Sequence, residues 1–315
     1  MIKQLIFGLT VSVWNFMVLC VLGFYYFTEA LILTILPFLN KRKSLKNKNI
    51  LITGGAGGVG QELTLRLARR NANVIVWDIN EKAIEKLMMR ANEEGLKVRV
   101  HVVDITDRCN VYKNADLIRS EVGALDVLIN NAGIVAGHTF MEIPDEMIEK
   151  TFQINVISHY WTIKAFLGDM IKRGQGHVVS VGSLTGMLGA YKCTDYSATK
   201  YALNGLHESL NTELKTHGHD NIHMTLICPY FIDTGMFAGC KPRSMSMLEP
   251  KDVANRIILA IKREEVFVTM PSIAKFILPL KHYLPTKLAW AVMIRVIQGP
   301  QSMMGLNSRK DTAAA

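Results

Sequence analysis

The apolar positions of this chain change period several times, and each change marks an element. From Gln4 to Thr28 no residue carries a formal charge, and apolar character continues past Glu29 to Leu39. About 20 helical residues cross the hydrocarbon core of a bilayer, so this stretch is long enough to span one. The segment Ile50–Thr53, "ILIT", is a short apolar strand, and "QELTLRLARR" after it has helical spacing. "NVIVWDIN", "VRVHVVDIT", "LDVLINNAGIV" and "GHVVSVGS" then alternate with helical stretches expected over 81–93, 107–121 and 144–172. Strands alternating with helices imply parallel crossovers and an α/β fold: one doubly wound parallel sheet of Rossmann type, helices on both faces.

Charge refines the picture at the ends. The basic run "KRKSLKNK" at 41–48 directly follows the apolar stretch, with only Lys3 before it. Positive flanks favour the cytosolic side, which places the following domain in the cytosol. The expected organisation is a membrane anchor over 1–40, a basic flank over 41–48, a catalytic domain over 49–270 and a C-terminal segment over 271–315. A cleaved signal peptide is the competing reading of the first stretch, but its apolar core is shorter and ends in polar sequence. Gly23, Glu29 and Pro37 leave a re-entrant hairpin open. The net charge of +9 comes without a basic tract interleaved with aromatics, so no nucleic-acid partner is expected. Five scattered cysteines lack a CxxC pair and the histidines lack an HExxH, so neither a disulfide framework nor a metal is expected.

The candidate chemistry lies at the strand ends. Gly54, Gly58 and Gly60 sit between a strand and a helix, where glycines let a pyrophosphate approach backbone N–H groups. Asp78 ends the next strand, where a carboxylate can accept the ribose hydroxyls of NAD and repel the extra phosphate of NADP. No lysine or arginine at 55–59 offsets that repulsion. The alternative for Asp78 is a cap for the turn before the helix over 81–93. In "DYSATK", Tyr196 and Lys200 stand four residues apart, hence on one face of a helix. An ammonium there favours the phenolate and lowers the tyrosine from its usual value of about 10. Alone, such a pair is common on solvated helix faces.

The glycine loop, Asp104 in "VVDIT", "NNAG" at 130–133, Asn155, Ser183, Tyr196, Lys200 and "CPYFIDT" at 228–234 occur in an order and spacing that resemble the short-chain dehydrogenase/reductase family. The resemblance covers roughly residues 47 to 270. It is closest to a membrane-bound branch of retinol and 17β-hydroxysteroid dehydrogenases on endoplasmic reticulum or lipid droplets. It implies an NAD-dependent oxidoreductase of a lipophilic alcohol, retinoid or steroid. Tyr196 is then the general base, helped by Lys200 and oxidised NAD, with Ser183 on the substrate oxygen. Asn155 holds a relay water. Val59, Ile105, Asn131, Ala132, Gly133, Pro229, Ile232 and Thr234 join Gly54, Gly58, Gly60, Asp78 and Asp104 around the cofactor, as do Tyr196 and Lys200. A homodimer through the helices of Asn155 and Tyr196 is also implied. The family's glycine after Pro229 is here Tyr230. A scaffold protein that has lost catalysis is the contrasting class, but it would be expected to lack Tyr196 or Lys200.

Tyr191, Tyr201 and His207 match no role and read as packing or surface. The methionine-rich loop at 235–250 reads as a mobile lid over an apolar substrate, or as a surface loop. The cationic, apolar stretch 271–298, broken by Pro279 and Pro285, reads as an interfacial segment at the substrate entrance, or as a core or dimer contact.

Overall fold

The computed structural model describes residues 2–36 and 42–308, in two separate units divided at Lys43. Lys41, Pro37 and Leu39, which the sequence assigns to the anchor and its flank, lie outside the described residues, as does the tail beyond 308. The first unit is one helix, α1 (Ile2–Ile35), which continues past Gly23 and Glu29 without a break. Its segment Val11–Leu33, 23 residues, is long and apolar enough to cross a membrane. At 1.5 Å per residue it spans roughly 34 Å, against about 30 Å of hydrocarbon.

The second unit alternates strand and helix in chain order: β1 (Asn49–Thr53), α2 (Gly58–Ala68), β2 (Asn73–Asp78), α3 (Glu81–Glu93), β3 (Val98–Val102), α4 (Arg108–Val122) and β4 (Val127–Asn130). Then come α5 (Asp145–Phe152), α6 (Ser158–Arg173), β5 (Gly176–Val181), α7 (Thr194–Thr216), β6 (Ile222–Pro229), α8 (Pro250–Arg263) and β7 (Phe267–Met270). All seven strands are parallel in the order β3-β2-β1-β4-β5-β6-β7. The strand period of two sorts the core. Ile50, Ile52, Val74, Val76 and Ile129 pack on one face with α2 and α8; Leu51, Ile75, Trp77 and Leu128 pack on the other with α4 and α6.

The order reverses between β1 and β4, and ligands in such sheets bind beyond the carboxyl ends at that point. The glycine loop, Asp78, Asp104, the 130–133 motif and Ser183 lie at or just after the carboxyl ends of strands, while Asn155, Tyr196 and Lys200 lie on helical segments. The helix expected over 144–172 is broken by one π-helical turn, Gln153–Ile157, between α5 and α6. Such turns often mark functional sites, and this one carries Asn155. Beyond β7 the prolines at 279 and 285 do break the chain, into the short helices α9 (Ala274–Ile277), α10 (Thr286–Ala291) and α11 (Gly299–Met303) with tighter and wider turns between.

Candidate active site

A cleft of about 1370 Å³ opens at the switch point, above the 300–1,000 Å³ of ordinary ligand pockets. It has room for a dinucleotide and a lipid together. Every residue expected around the cofactor or in the reaction lines it, except Gly60 and Asn155, which support others from behind.

The glycine loop is fixed by its neighbours. Gly54 has a positive φ of 61°, and a Cβ on Gly60 would stand 2.0 Å from the Gly54 oxygen. No alanine fits that turn. Asn131 Nδ2 donates to the carbonyls of Thr53 and Gly54 at 3.1 and 3.0 Å. The Thr53 hydroxyl accepts from the N–H groups of Asn131 and Ala132, and Thr64 donates to Gly55 O. Thr53 opens the T-G-x-x-x-G-x-G arrangement of the loop, whereas Thr64 carries no sequence signal of its own. Helix α2 begins at Gly57 without a capping side chain, beside the cleft-lining Gly58 and Val59. An uncapped helix start in a tight glycine cradle fits a pyrophosphate. Thr234 approaches from the opposite wall, its Cγ2 3.3 Å from where a Gly58 Cβ would stand.

Asp78 is not the cap of α3; that cap is Asn80, whose side chain accepts from Ala83 N at 3.0 Å. Asp78 does cap the turn before α3, accepting from Asn80 N at 3.1 Å, and it also accepts from Ala56 N at 2.9 Å, so it ties the glycine loop to the end of β2. Its oxygens keep lone pairs for further donors. Asp104 turns its own loop, accepting from the N–H and hydroxyl of Thr106. The lysines lining the cleft are Lys150 and Lys200, and no arginine lines it among the described residues.

The reacting end is buried. Tyr196 is 5 % exposed and packs edge-on against Phe237, their centroids 6.0 Å apart. The Ser183 hydroxyl hydrogen-bonds the phenol and accepts from Thr185 N at 3.1 Å. Lys200 Nζ donates to the Val181 carbonyl at 2.9 Å and lies 5.3 Å from the Tyr196 ring centroid. A Cβ on Gly133 would stand 3.3 Å from Asn155 Oδ1 and 3.8 Å from Lys200 Nζ, so a side chain there would press on the Asn155 amide where these groups meet.

One expectation from the sequence changes here. Tyr196 is pushed upward rather than downward, because burial disfavours the phenolate more than the Ser183 bond favours it. Burial likewise lowers Lys200 to about 8. The phenol and amine therefore meet as a largely desolvated pair. Asn155, in turn, commits its side chain to the backbone: Oδ1 accepts from Ile134 N, while Nδ2 donates to Ile134 O and to Thr199 Oγ1. Both amide protons are used, so a relay water could bond the side chain only at Oδ1. The amide serves first as a clasp on the 131–134 loop.

The lowered Lys200 has a consequence for stability. Its folded value lies below the ordinary 10.5, so between about 8 and 10.5 the folded chain binds fewer protons than the unfolded one. Stability contributed by this group therefore rises with pH across that window. Lys200→Met should raise the melting temperature at pH 7 while removing turnover, and calorimetry beside an activity assay checks both. A lower melting temperature would mean that the ammonium stabilises the fold.

The loop after 235 does cover the cleft, with Met236 and Met245 in its lining. It is a hydrogen-bonded cover rather than a free flap. Lys241 N and Arg243 N donate to Ser302 O and Oγ, and Asn307 N donates to Ala238 O. Gly239 and Gly305 approach so closely that a Cβ on the first would stand 2.0 Å from the oxygen of the second. Tyr230 stacks edge-on against Phe231 at 4.7 Å and hydrogen-bonds Ser244, whose Oγ donates to Ile297 O. Tyr191 is a surface residue, 42 % exposed, that also lines the cleft. Tyr201 hydrogen-bonds Lys281 at 2.6 Å, and His207 is buried and lowered to about 4.

This fold and site define a dinucleotide-binding oxidoreductase, and comparison with known proteins gives its family. The sequence profile of the short chain dehydrogenase family matches residues 48–244, and the chain belongs to that family, whose members work with a nicotinamide dinucleotide. Among its relatives, short-chain dehydrogenase/reductase family 16C member 6 of Bos taurus is 40% identical over 268 residues, 84% of each chain. Epidermal retinol dehydrogenase 2 of Homo sapiens is 40% identical over 263 residues, 82% of this chain and 84% of its own. A solved short-chain dehydrogenase/reductase from Burkholderia phymatum, in complex with NAD, has a TM-score of 0.69 at 21% identity over 86% of this chain and 99% of its own. At that identity the likeness concerns the fold alone.

Proposed function

We propose that the chain oxidises a lipophilic alcohol with NAD, and that the alcohol is all-trans-retinol, converted to retinaldehyde. One observation carries this reading. Tyr196, Ser183 and Lys200 line a single cleft that also has an apolar stretch of wall, from Phe231 and Phe237 through Met245 to Ile277 and Trp290. The retinol dehydrogenases among the relatives support the substrate class.

Bound oxidised nicotinamide supplies the hydride acceptor, and its positive charge favours a nearby anion. The chain supplies the rest. Ser183 orients the alcohol oxygen, and Tyr196 takes its proton. Lys200 stabilises the phenolate, which burial alone opposes. Asn155 holds the 131–134 loop beneath Lys200, with Gly133 giving the space. Phe237 and the 235–249 cover exclude water, which strengthens each of these interactions. Gly54, Gly58, Val59 and Gly60 form the pyrophosphate cradle, and Asn131 with Ala132 secures it. Asp104 and Ile105 line the adenine side, and Pro229, Ile232 and Thr234 line the nicotinamide side.

The choice of NAD rests on Asp78 and on a cleft lining without arginine. The anchor α1 and the flank after it support a membrane-bound protein of the endoplasmic reticulum or lipid droplet, its catalytic unit in the cytosol; pairing as a homodimer follows from the family resemblance alone. A hydroxysteroid is the second substrate reading, favoured by one feature: the Tyr230 and Ser244 hydroxyls line the apolar wall, where a second oxygen function could be met.

A screen on membranes tests the proposal, setting retinol against 17β-hydroxysteroids and NAD against NADP. Retinol with NAD should give the highest kcat/KM. Asp78→Asn keeps an acceptor for Ala56 N but removes the charge, and should narrow the NAD preference by roughly tenfold, about 1.4 kcal/mol. An unchanged preference would remove Asp78 from the selectivity argument.

A further inference from the structure

The C-terminal segment presents apolar side chains in two directions at once. Ile273, Ile277, Trp290 and Ile294 all line the cleft, yet they remain 56, 49, 62 and 43 % exposed. Around them Phe276, Tyr283 and Val296 are 64, 84 and 72 % exposed without lining the cleft. Exposed apolar groups scattered singly are ordinary; this density within one segment marks a surface that something covers.

Charge indicates what covers it. From Pro271 to Ser308 there is no acidic residue, while Lys275, Lys281, Lys287 and Arg295 are interspersed among the apolar positions. Lys281 turns inward, donating to Met187 O and to the Tyr201 hydroxyl, which fixes the segment to the catalytic side of the cleft. Short helices with apolar and cationic residues interleaved suit the boundary between headgroups and acyl chains. A protein partner of the same chemistry would need matching acids and a fixed shape. A bilayer needs neither, and the same chain carries a helix able to span one.

We infer that Ile273–Val296 docks into an anionic phospholipid leaflet and forms a portal through which the substrate passes from the bilayer into the cleft without crossing water. This rests on the proposed lipophilic substrate and adds its route. Residues that touch lipid on one side and line the cleft on the other let an apolar molecule keep apolar contact throughout, so transfer carries little desolvation cost.

The test uses the full chain in vesicles of phosphatidylcholine with phosphatidylserine, with brominated phosphatidylcholine as quencher. Trp290 fluorescence is read as the difference between the wild type and Trp290→Phe. That difference should fall at least about twofold with brominated lipid, as for a ring at interfacial depth. The triple variant F276E/Y283E/V296E should abolish the quenching and lower kcat/KM for vesicle-borne retinol roughly tenfold, with NAD affinity unchanged. Removing phosphatidylserine should weaken the wild-type quenching, and equal quenching without it would overturn the anionic preference. Unquenched Trp290 in a chain that still oxidises retinol would overturn the portal and leave the substrate assignment standing. Quenched Trp290 without retinol turnover would do the reverse.

Discussion

Gly60→Ala is expected to weaken dinucleotide binding by roughly 100-fold and to destabilise the fold, by about 1–3 kcal/mol for an overpacked site. The added methyl would stand 2.0 Å from Gly54 O and 2.8 Å from Asn131 Nδ2. Neither atom can yield cheaply. Gly54 is held at positive φ by the turn, and the Asn131 amide is already bonded to Thr53 O and Gly54 O. Displacing them moves both the phosphate cradle and the loop that Asn155 clasps. Fluorescence titration with NADH and thermal unfolding read the two effects. Gly57→Ala is the control, because nothing lies within 4 Å of a Cβ there. It should leave the melting temperature unchanged, so any loss of affinity would report the close approach of the ligand itself. Normal NADH affinity in Gly60→Ala would show that the cradle is not where the dinucleotide sits.

Tyr196→Phe is expected to lower kcat by about 10³-fold and to leave NADH affinity within about twofold of the wild type, as befits loss of a general base. The ring should stay in place, since its edge-on contact with Phe237 and its burial do not need the hydroxyl. The pH dependence should go with it. In the wild type the phenol is raised by burial, so the rate should increase as pH rises from neutral, where more of the base form is present. Phenylalanine has no proton to lose, and its residual rate should lack that rise. A residual rate with the wild-type pH profile would assign the titration to another group.

Much of this site was legible in the sequence because its signals are local. A strand, a tight glycine turn and a helix follow one another within Asn49–Ala68, and Tyr196 and Lys200 share one helical face, so short-range geometry suffices. What was not legible depends on residues distant in the chain. The direction of the Tyr196 shift is set first by its burial, to which the distant Phe237 contributes, and the spacing of Tyr196 and Lys200 along α7 says nothing of that. Asn155 was recognised, but its clasp on Ile134 needs the π-helical turn that points it inward. Asp78 caps the turn before α3 and also holds Ala56 N, a double role that hydrogen bonds show and residue type does not. Tyr191 had no motif to announce it. The C-terminal wall was hardest to read, since prolines at 279 and 285 leave pieces too short for any periodicity. Its two-sided exposure emerges only once the cleft exists.

The most direct measurement uses retinol carrying deuterium at the carbinol carbon, with the full chain in membranes and NAD, followed by mass analysis of the reduced dinucleotide. The account predicts one deuterium per retinaldehyde formed by the wild type, and almost none in the same interval with Tyr196→Phe. Equal deuterium transfer by the two proteins would contradict it.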